Sequence, residues 1–426
     1  MMGQSCGPSQ TKGLKLGYPI RLLFKVRRLR LSRAIGLCGI PIRLLIVLLH
    51  VLTGKHTSMR MKFQMPVIMF TLIMLGTLTS HAAGQDPKSQ IKAEIERLTN
   101  SLKEKPITDP DYAPLSSTAS QALQIAAEAL DSGNIYLSLE KLLQAEDFLL
   151  GARFPLEKTE AVKSGLPAFE AEWKEVSQTI TGYDQELRQK EWSTAPAALR
   201  ALSETAIGRA TPLLEGGYGF AVSTKPSEGL FYLGQAQGEA TFAQFAASVR
   251  LVRNGAPFPL RSILPELQKL QEKTNAAFQP PRSIQLHERF IALNSTLKLA
   301  QELDTQQFYA GAAYQYLEAV RHFGMLDTPV VEAARQIPIK DGIVAARKKL
   351  AGSKQDDSIA ELYLQRAMAQ VVHTDGSTAS GDEWRSAQII LDQVLPAYFA
   401  TKKPLSPIRQ TSVKTVQITL VRWPYT

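Results

Sequence analysis

Three histidines lie downstream of residue 82, and histidine is the side chain most often used for proton transfer and metal binding near neutral pH. They are His287, His322 and His373. No two stand at the i, i+4 spacing of a helical metal pair, and His287-Glu288 lacks the second histidine of a zinc protease motif. Each is therefore interpreted as a core or surface residue, and no metal site is predicted.

Ser-x-x-Lys, a spacing that pairs a serine nucleophile with a lysine, occurs three times downstream of residue 82. The pairs are Ser89/Lys92, Ser138/Lys141 and Ser295/Lys298. The Ser-Asp-Asn and Lys-Thr-Gly elements that accompany this motif in penicillin-recognising enzymes are missing. About one or two chance matches are expected at ordinary Ser and Lys frequencies, so we expect no acyl-enzyme chemistry from these pairs.

The glycines and carboxylates give no stronger signal for catalysis. Gly217-Tyr218-Gly219 lacks the third glycine and the preceding strand of a dinucleotide site, so it is predicted to be a connector that ends a helix. Acidic residues such as Glu170, Glu172 and Glu175 are spread along a polar face that solvent would cover. We therefore predict no catalytic, metal-binding or cofactor-binding residue and no cofactor.

Residues 59–82 predict an export signal. A charge-free apolar stretch of 14 residues follows Arg60 and Lys62, and Ser80 and Ala82 form the small-x-small pair that a signal peptidase cuts. A membrane-spanning helix needs about 20 apolar residues. The pattern predicts cleavage near Ala82 and export to the periplasm or cell envelope; the alternative is an uncleaved segment that anchors the chain to the inner membrane.

Residues 1–58 carry ten basic side chains in front of this signal. One interpretation is that the coding frame was opened too early and translation starts at Met59, Met61 or Met65. The other is a basic, membrane-associated extension. The first is favoured, because a signal peptide normally begins within a few residues of its charged end.

The positive charge of the chain is concentrated in the same region. The whole sequence has 49 Lys and Arg against 39 Asp and Glu, a net charge of +10, but residues 1–82 hold twelve of the basic residues and none of the acidic ones. The remainder is nearly neutral, which predicts no nucleic-acid partner. Cys6 and Cys38 also lie before residue 82, so the remainder has no disulfide, thiolate metal site or cysteine nucleophile.

Beyond the signal, apolar residues recur at helical spacing over about three hundred residues. This predicts an all-α domain over residues 83–400, either as one body or as two subdomains with a break near 254–282. Two helical hairpins are clearest. The first joins 119–130 to 135–150 through a turn in which Gly133 suits the C′ position and Asn134 caps the next helix; the second joins 284–303 to 308–323.

A long stripe and a tail complete the pattern. The stripe runs from Phe169 to Leu187 in steps of four and three, which is typical of a core-facing helix. In the tail, residues 401–426, Val416, Ile418 and Leu420 alternate with polar residues. That alternation predicts a short β-strand or an extended segment.

The two hairpins echo each other at an offset of 174 residues. Leu299-Ala300 is followed by Tyr309, Ala312, Tyr316 and Ala319, and Ile125-Ala126 by Ser138, Leu142 and Ala145. This arrangement resembles the tetratricopeptide repeat, whose helix pairs carry small residues at matching places and bulky ones between them. The matches are not consecutive, lack the Trp and Pro of that family, and cover under a fifth of the chain beyond residue 82. The resemblance implies a curved stack of helices that holds a peptide on its concave side; the alternative is an irregular helical bundle.

Together these features predict an exported helical protein that acts as an interaction or scaffold module of a bacterial cell envelope, with a protein or peptide partner and no catalysis of its own. Tyr309, Tyr316 and His322 share one helix and are the predicted partner-binding residues. Membrane contact is predicted only through a retained N-terminal segment. The alternative is a hydrolase or lyase with a site assembled from scattered Glu, Tyr and His. The sequence leaves the oligomeric state open.

Overall fold

The computed structural model describes residues 86–188, 192, 194–277, 286–327, 336–372 and 379–402. These residues form helices and connecting loops, and their only β pairing is a single bridge between Ala256 and Gln355. The predicted all-α fold is confirmed. The predicted export signal, the tail with Val416–Leu420 and His373 lie outside the described residues. Contacts divide the chain into Met1–Ser80 and His81–Thr426, and everything described below belongs to the second unit.

The helices follow one another with short connections. In chain order they are α1 Pro87–Glu104, α2 Ala113–Asp131, α3 Ile135–Lys158, a 3₁₀ turn Ala161–Ser164, α4 Leu166–Leu187, α5 Ala197–Ser223, α6 Pro226–Ser248, α7 Leu264–Ala277, α8 His287–Thr305, α9 Tyr309–Asp327, α10 Gln336–Ala351, α11 Ser358–Val371, α12 Gly381–Ile389, a π-helical segment Ile390–Val394, and α13 Leu395–Thr401.

The antiparallel pair α5–α6 lies between the two predicted hairpins. α6 packs along α3 of the hairpin α2–α3, and α5 packs along α9 of the hairpin α8–α9. α4 covers α5 and α6 with the predicted stripe, of which Phe169, Val176, Ile180 and Leu187 are buried. The prediction that this stripe is core is confirmed. Most of it forms a second, smaller apolar core beside the main one.

Both hairpins close with the same turn. Gly133 has φ of 76°, and the amide of Asn134 donates to the Ala129 carbonyl at 2.7 Å. In the second hairpin Gln307 has φ of 65°, and the amide of Phe308 donates to the Leu303 carbonyl at 2.9 Å. The equivalent positions differ by 174 residues, the offset of the sequence echo. This is the left-handed helix end predicted for Gly133.

The helix that was predicted to end at Gly216–Gly219 continues to Ser223, so that prediction is wrong. Of these glycines, Gly217 serves close packing instead of a turn. A Cβ atom at Gly229 of α6 would lie 2.4 Å from the carbonyl oxygen of Gly217, and one at Gly217 would lie 3.0 Å from that of Gly229. α5 and α6 therefore touch backbone to backbone, which any larger residue would prevent.

Several helix starts are capped by side chains from distant parts of the chain. The Asp356 carboxylate accepts from the Ala197 amide of α5 at 2.7 Å, and Ser358 accepts from the next amide at 2.9 Å. Gln365 accepts from the Leu137 amide of α3 at 3.0 Å. Asn134, which was predicted to cap α3, makes no side-chain cap, and its side chain accepts from Arg347 instead.

Candidate functional site

A groove of about 460 Å³ opens between α1 and α2. Its apolar lining comes from Ile95 and Leu102 of α1, Leu123 of α2, and Ile107 in the loop between the two helices. Concave, mostly apolar sites of about 300–1,000 Å³ are typical of pockets for small molecules and cofactors. The volume and lining of the groove lie within that class.

The polar side chains of the groove are few and short. Thr99 of α1 and Ser116, Ser120 and Gln124 of α2 supply hydroxyl and amide groups. Lys103 is the only charged residue among those that line the groove. The short side chains of Ser116 and Ser120 leave part of the space between α1 and α2 unfilled.

Arg153 of α3 fixes the end of α1 that borders the groove. Its guanidinium donates to the Ser101 hydroxyl and the Ser101 carbonyl, each at 2.5 Å, and to the Lys105 carbonyl at 3.4 Å. A positive side chain at the last carbonyls of a helix satisfies those acceptors and complements the helix dipole. The groove is therefore built on an anchored helix end.

A charge cluster lies elsewhere, where α3, α9 and α11 meet. Its centre is Arg366 of α11, which pairs with Glu140 of α3 and with Glu318 of α9. Tyr314 of α9 donates to the Glu140 carboxylate at 2.6 Å and accepts from Arg366 at 2.9 Å. Arg321 donates to Glu318 at 3.0 Å. Three helices are thus joined by one network of charged hydrogen bonds.

Burial is the main cause of the pKa shifts of Arg366 and Tyr314. Arg366 is 13% exposed, and burial lowers its pKa to about 10. Burial also raises the pKa of the Tyr314 phenol well above its usual value, and the charge of Glu318 adds to that rise. The side chains neutralise one another, so the arrangement holds a set of mutually paired charges. None of them lines the groove between α1 and α2.

The predicted partner-binding residues lie on α9 but face different surroundings. Tyr316 is half-buried against the main core, and burial together with the charge of Glu266 on α7 raises its pKa to about 12. His322 lies beside Arg321 and Glu318; burial and the charge of Arg321 lower its pKa, which Glu318 opposes. Tyr309 is half-buried at the start of α9. None of the three lines the groove, and their role in partner binding stays a prediction.

The Ser-x-x-Lys pairs have no catalytic geometry in the structure. Ser89, Lys92, Ser295 and Lys298 are exposed on helix surfaces. Ser138 is fully buried in α3, and the Lys141 ammonium donates to Gln144 at 3.0 Å. Burial lowers the pKa of Lys141, but the hydroxyl of Ser138 has no hydrogen-bond partner among the described residues.

Comparison with protein-family models, curated proteins and solved structures finds no match to this chain. The groove and the charge cluster are therefore interpreted from their own chemistry. Among the residues that the structure describes, no three His, Cys, Asp or Glu side chains are placed so that they could hold a metal ion. No described helix has both the length and the apolar character needed to cross a membrane.

Sequence reasoning missed both the groove and the charge cluster. Glu140 and Tyr314 are 174 residues apart, so the echo placed them at equivalent positions of the two hairpins, but it gave no sign that they touch. The groove depends on how far α1 and α2 stand apart. That separation is decided by packing against α3 and is invisible in the spacing of apolar residues.

Proposed function

We propose that this chain is an exported helical protein that acts as an interaction or scaffold module of a bacterial cell envelope. Its binding site is the groove between α1 and α2, and the occupant is an amphipathic helix of a partner protein. The groove itself is the observation that carries the proposal. Grooves between helices with an apolar floor are the standard receptors for the apolar face of a partner helix.

The chemistry of the lining specifies the occupant. Leu102 is half-buried, and Ile107 and Leu123 are already buried in the free chain. They favour an apolar stripe on the partner helix, which gains affinity mainly by burying its own apolar side chains against them. Lys103 carries the only charge among the lining residues, so the partner helix presents an acidic side chain beside it. A complementary charge at the rim fixes the register of binding more than it adds affinity.

The proposed compartment rests on residues 59–82 and their signal-peptide pattern. Export to the periplasm or envelope predicts that the protein isolated from cells begins near Ala83. Retention of the segment corresponds to the alternative, a protein anchored to the inner membrane. Sequencing the amino terminus of the native protein separates the two.

The resemblance to tetratricopeptide repeats is part of the same proposal. The identical turns at Gly133 and Gln307 support a relation between the two hairpins. The proposal places partner binding between α1 and α2, next to the hairpin α2–α3. The resemblance implies an additional concave surface near Tyr309, Tyr316 and His322.

Filling the groove tests the proposal. Ser117 and Ser120 are both exposed on α2, but only Ser120 lines the groove. Ser120→Trp therefore places an indole at the groove, and Ser117→Trp places the same side chain at a position of the same helix outside its lining. The probe is a synthetic amphipathic helix with a leucine stripe and one flanking glutamate, and binding is read by fluorescence anisotropy. We expect Ser117→Trp to bind like the wild type and Ser120→Trp to lose at least tenfold in affinity, equivalent to about 1.4 kcal/mol.

Two results would count against the groove. Equal binding by both tryptophan variants would place the peptide elsewhere. Equal binding of a peptide with the same composition but no apolar stripe would show that no helix face is recognised.

The second candidate function is a hydrolase or lyase, and the charge cluster is the observation that favours it. Clusters of titratable side chains with shifted pKa values are common at active sites, although structural ion-pair networks shift pKa values too. Here Glu140 and Glu318 are engaged by Arg366, which favours a structural role. Glu318→Gln distinguishes the two: a structural role predicts a lower denaturation midpoint, while a catalytic role predicts an unchanged midpoint and loss of turnover on ester, amide or glycoside substrates.

A further inference from the structure

The interface between α3 and α6 buries an excess of negative charge. Glu239 of α6 is fully buried, and Asp147 of α3 is 5% exposed. Both face the guanidinium of Arg209 on α5, at 2.9 Å from Glu239 and 3.4 Å from Asp147. Two carboxyl groups therefore share one positive charge.

No other described group balances the second carboxylate. Glu146, the neighbour of Asp147 on α3, is itself buried; burial raises the pKa of its carboxyl group, Glu94 and Glu239 add to that rise, and Arg97 opposes it. Its own partner is Arg97 of α1 at 3.4 Å, which also pairs with Glu94. On the other side of α6, α4 contributes the apolar residues Phe169, Val176 and Ile180 to the smaller core.

The carboxyl group of Glu239 lacks hydrogen-bond donors as well. Both of its oxygens are buried without a hydrogen-bond partner among the described residues, and the contact with Arg209 has the distance of an ion pair but not the alignment of a hydrogen bond. One carboxylate oxygen of Asp147 is likewise buried without a hydrogen-bond partner among the described residues. A buried carboxylate in this position is costly, and such a group normally keeps its proton instead.

The surrounding backbone leaves little room for relaxation. A Cβ atom at Gly238 would lie 2.8 Å from the Glu146 carbonyl oxygen, and one at Gly234 would lie 2.3 Å from that of Leu150. α3 and α6 are thus in backbone contact over the turn of α6 that leads to Glu239. The Arg209 side chain is already 39% exposed, whereas Glu239 is fully buried and can be hydrated only if the helices around it move apart.

We propose that Glu239, Asp147 and Arg209 form a proton-dependent latch between α3, α5 and α6. Protonated Glu239 keeps the α3–α6 interface closed, and its ionisation at alkaline pH loosens that interface. The step is a simple proton transfer to solvent hydroxide or buffer. This inference does not depend on the binding groove or on the proposed function.

The direction of the pH effect follows from the raised pKa of the Glu239 carboxyl group. Burial raises the pKa of Glu239 from 4.5 to about 8, Arg209 opposes the rise, and Asp147 adds to it. A carboxyl group that holds its proton more tightly in the folded state contributes stability that is complete below its unfolded pKa. That contribution decreases as the pH rises from about 4.5 and is gone above about 8.

The test compares the wild type with Glu239→Gln, which mimics the protonated carboxyl group. Glu215→Gln, at an exposed position of α5, is the matched control. Urea denaturation midpoints are measured from about pH 5 to pH 9. Relative to the wild type, we expect the midpoint of Glu239→Gln to rise steadily up to about pH 8, while that of Glu215→Gln stays parallel to the wild type.

A structural readout accompanies the midpoints. Hydrogen exchange of the amides of α3 and α6, corrected for intrinsic rates, is expected to accelerate above pH 8 in the wild type and not in Glu239→Gln. Carboxyl ¹³C NMR identifies the Glu239 signal by its absence from the variant. Titration of that signal below pH 6, or a midpoint difference independent of pH, would overturn the proposal.

A second variant keeps the proposal testable if Glu239→Gln does not fold. In Asp147→Asn the guanidinium of Arg209 serves Glu239 alone, so the titration of the Glu239 carboxyl moves to lower pH. An unchanged titration midpoint in Asp147→Asn would contradict the shared-charge arrangement.

Discussion

Arg366 brings together two carboxylates from two other helices at a site that is 13% exposed. Its neighbours Tyr314 and Tyr363 complete the surroundings, the first through a hydrogen bond and the second with its ring 5.1 Å from the guanidinium carbon. Replacing one member of such a buried set leaves the others with fewer partners. The cost of removal therefore exceeds the value of any single contact.

We expect Arg366→Met to lower the free energy of unfolding by about 3 kcal/mol, because Glu140 loses its Arg366 partner and Glu318 keeps only Arg321. Chemical denaturation measures the change. The control is Lys163→Ala, which removes the exposed pair of Lys163 with Glu160 and should stay within about 0.5 kcal/mol of the wild type. Similar losses in both variants would mean that the cluster is no more than a surface network.

The burial of the charged residues in this cluster could not be predicted from the sequence. A charged residue on a helix gives the same pattern whether water or another helix surrounds it. Phe169 and Val176 could be assigned to the core from periodicity alone, since apolar side chains are buried wherever the helix packs. Glu140 and Glu318 could not, because their pairing depends on which helices become neighbours.

At the scale of the helices, the starts of α3, α5 and α9 depend on residues far away in the chain. Glu204 of α5 accepts from the Gly311 amide of α9 at 2.8 Å, as Asp356 does for α5 and Gln365 for α3. Local capping signals predict a helix start only where the cap is a neighbour in sequence, as with Ser380 and Glu383 at α12. The starts of α3, α5 and α9 are therefore harder to predict from the sequence.

Asp356→Ala removes one of these distant caps. The Ala197 amide and the Ser358 amide both lose their acceptor, and we expect a loss of about 2 kcal/mol in unfolding free energy. Asp341→Ala, at an exposed position inside α10, is the control and should be nearly neutral. Denaturation midpoints of the two variants decide the matter; a neutral Asp356→Ala would show that the cap contributes nothing.

The glycines of the α5–α6 pair give a second prediction at this scale. Gly229→Ala places a methyl group 2.4 Å from the Gly217 carbonyl oxygen and 2.8 Å from the Phe169 ring, and we expect a loss of about 1–3 kcal/mol. Gly219→Ala meets no atom within 4 Å and should stabilise the protein by about 0.5–1 kcal/mol through helix propensity. Thermal unfolding compares both variants. The same sign of change in each would contradict close packing as the reason for these glycines.

For the whole molecule, the sequence predicts the fold class and several hairpins but not the arrangement. Periodicity identifies α4, and the Gly133 turn identifies the hairpin α2–α3. The prediction that a helix ends at Gly216–Gly219 is wrong, because glycine occurs both in turns and at close contacts between helices. The candidate site, too, could be predicted only in part from the sequence. The apolar residues Ile95 and Leu102 stand seven residues apart, a helical spacing, but nothing in the sequence indicates the space between α1 and α2.

The central claim for the whole molecule is that the groove between α1 and α2 receives a partner helix. Site-specific photo-crosslinking in intact cells tests it most directly, with the crosslinker at Ser120 inside the groove and at Ser117 outside it. We expect a discrete product from Ser120 alone, and mass spectrometry should place the link in an amphipathic helix of the partner with an acidic residue beside its apolar face. Products of equal yield from both positions, or a link to a segment without an apolar stripe, would contradict the account.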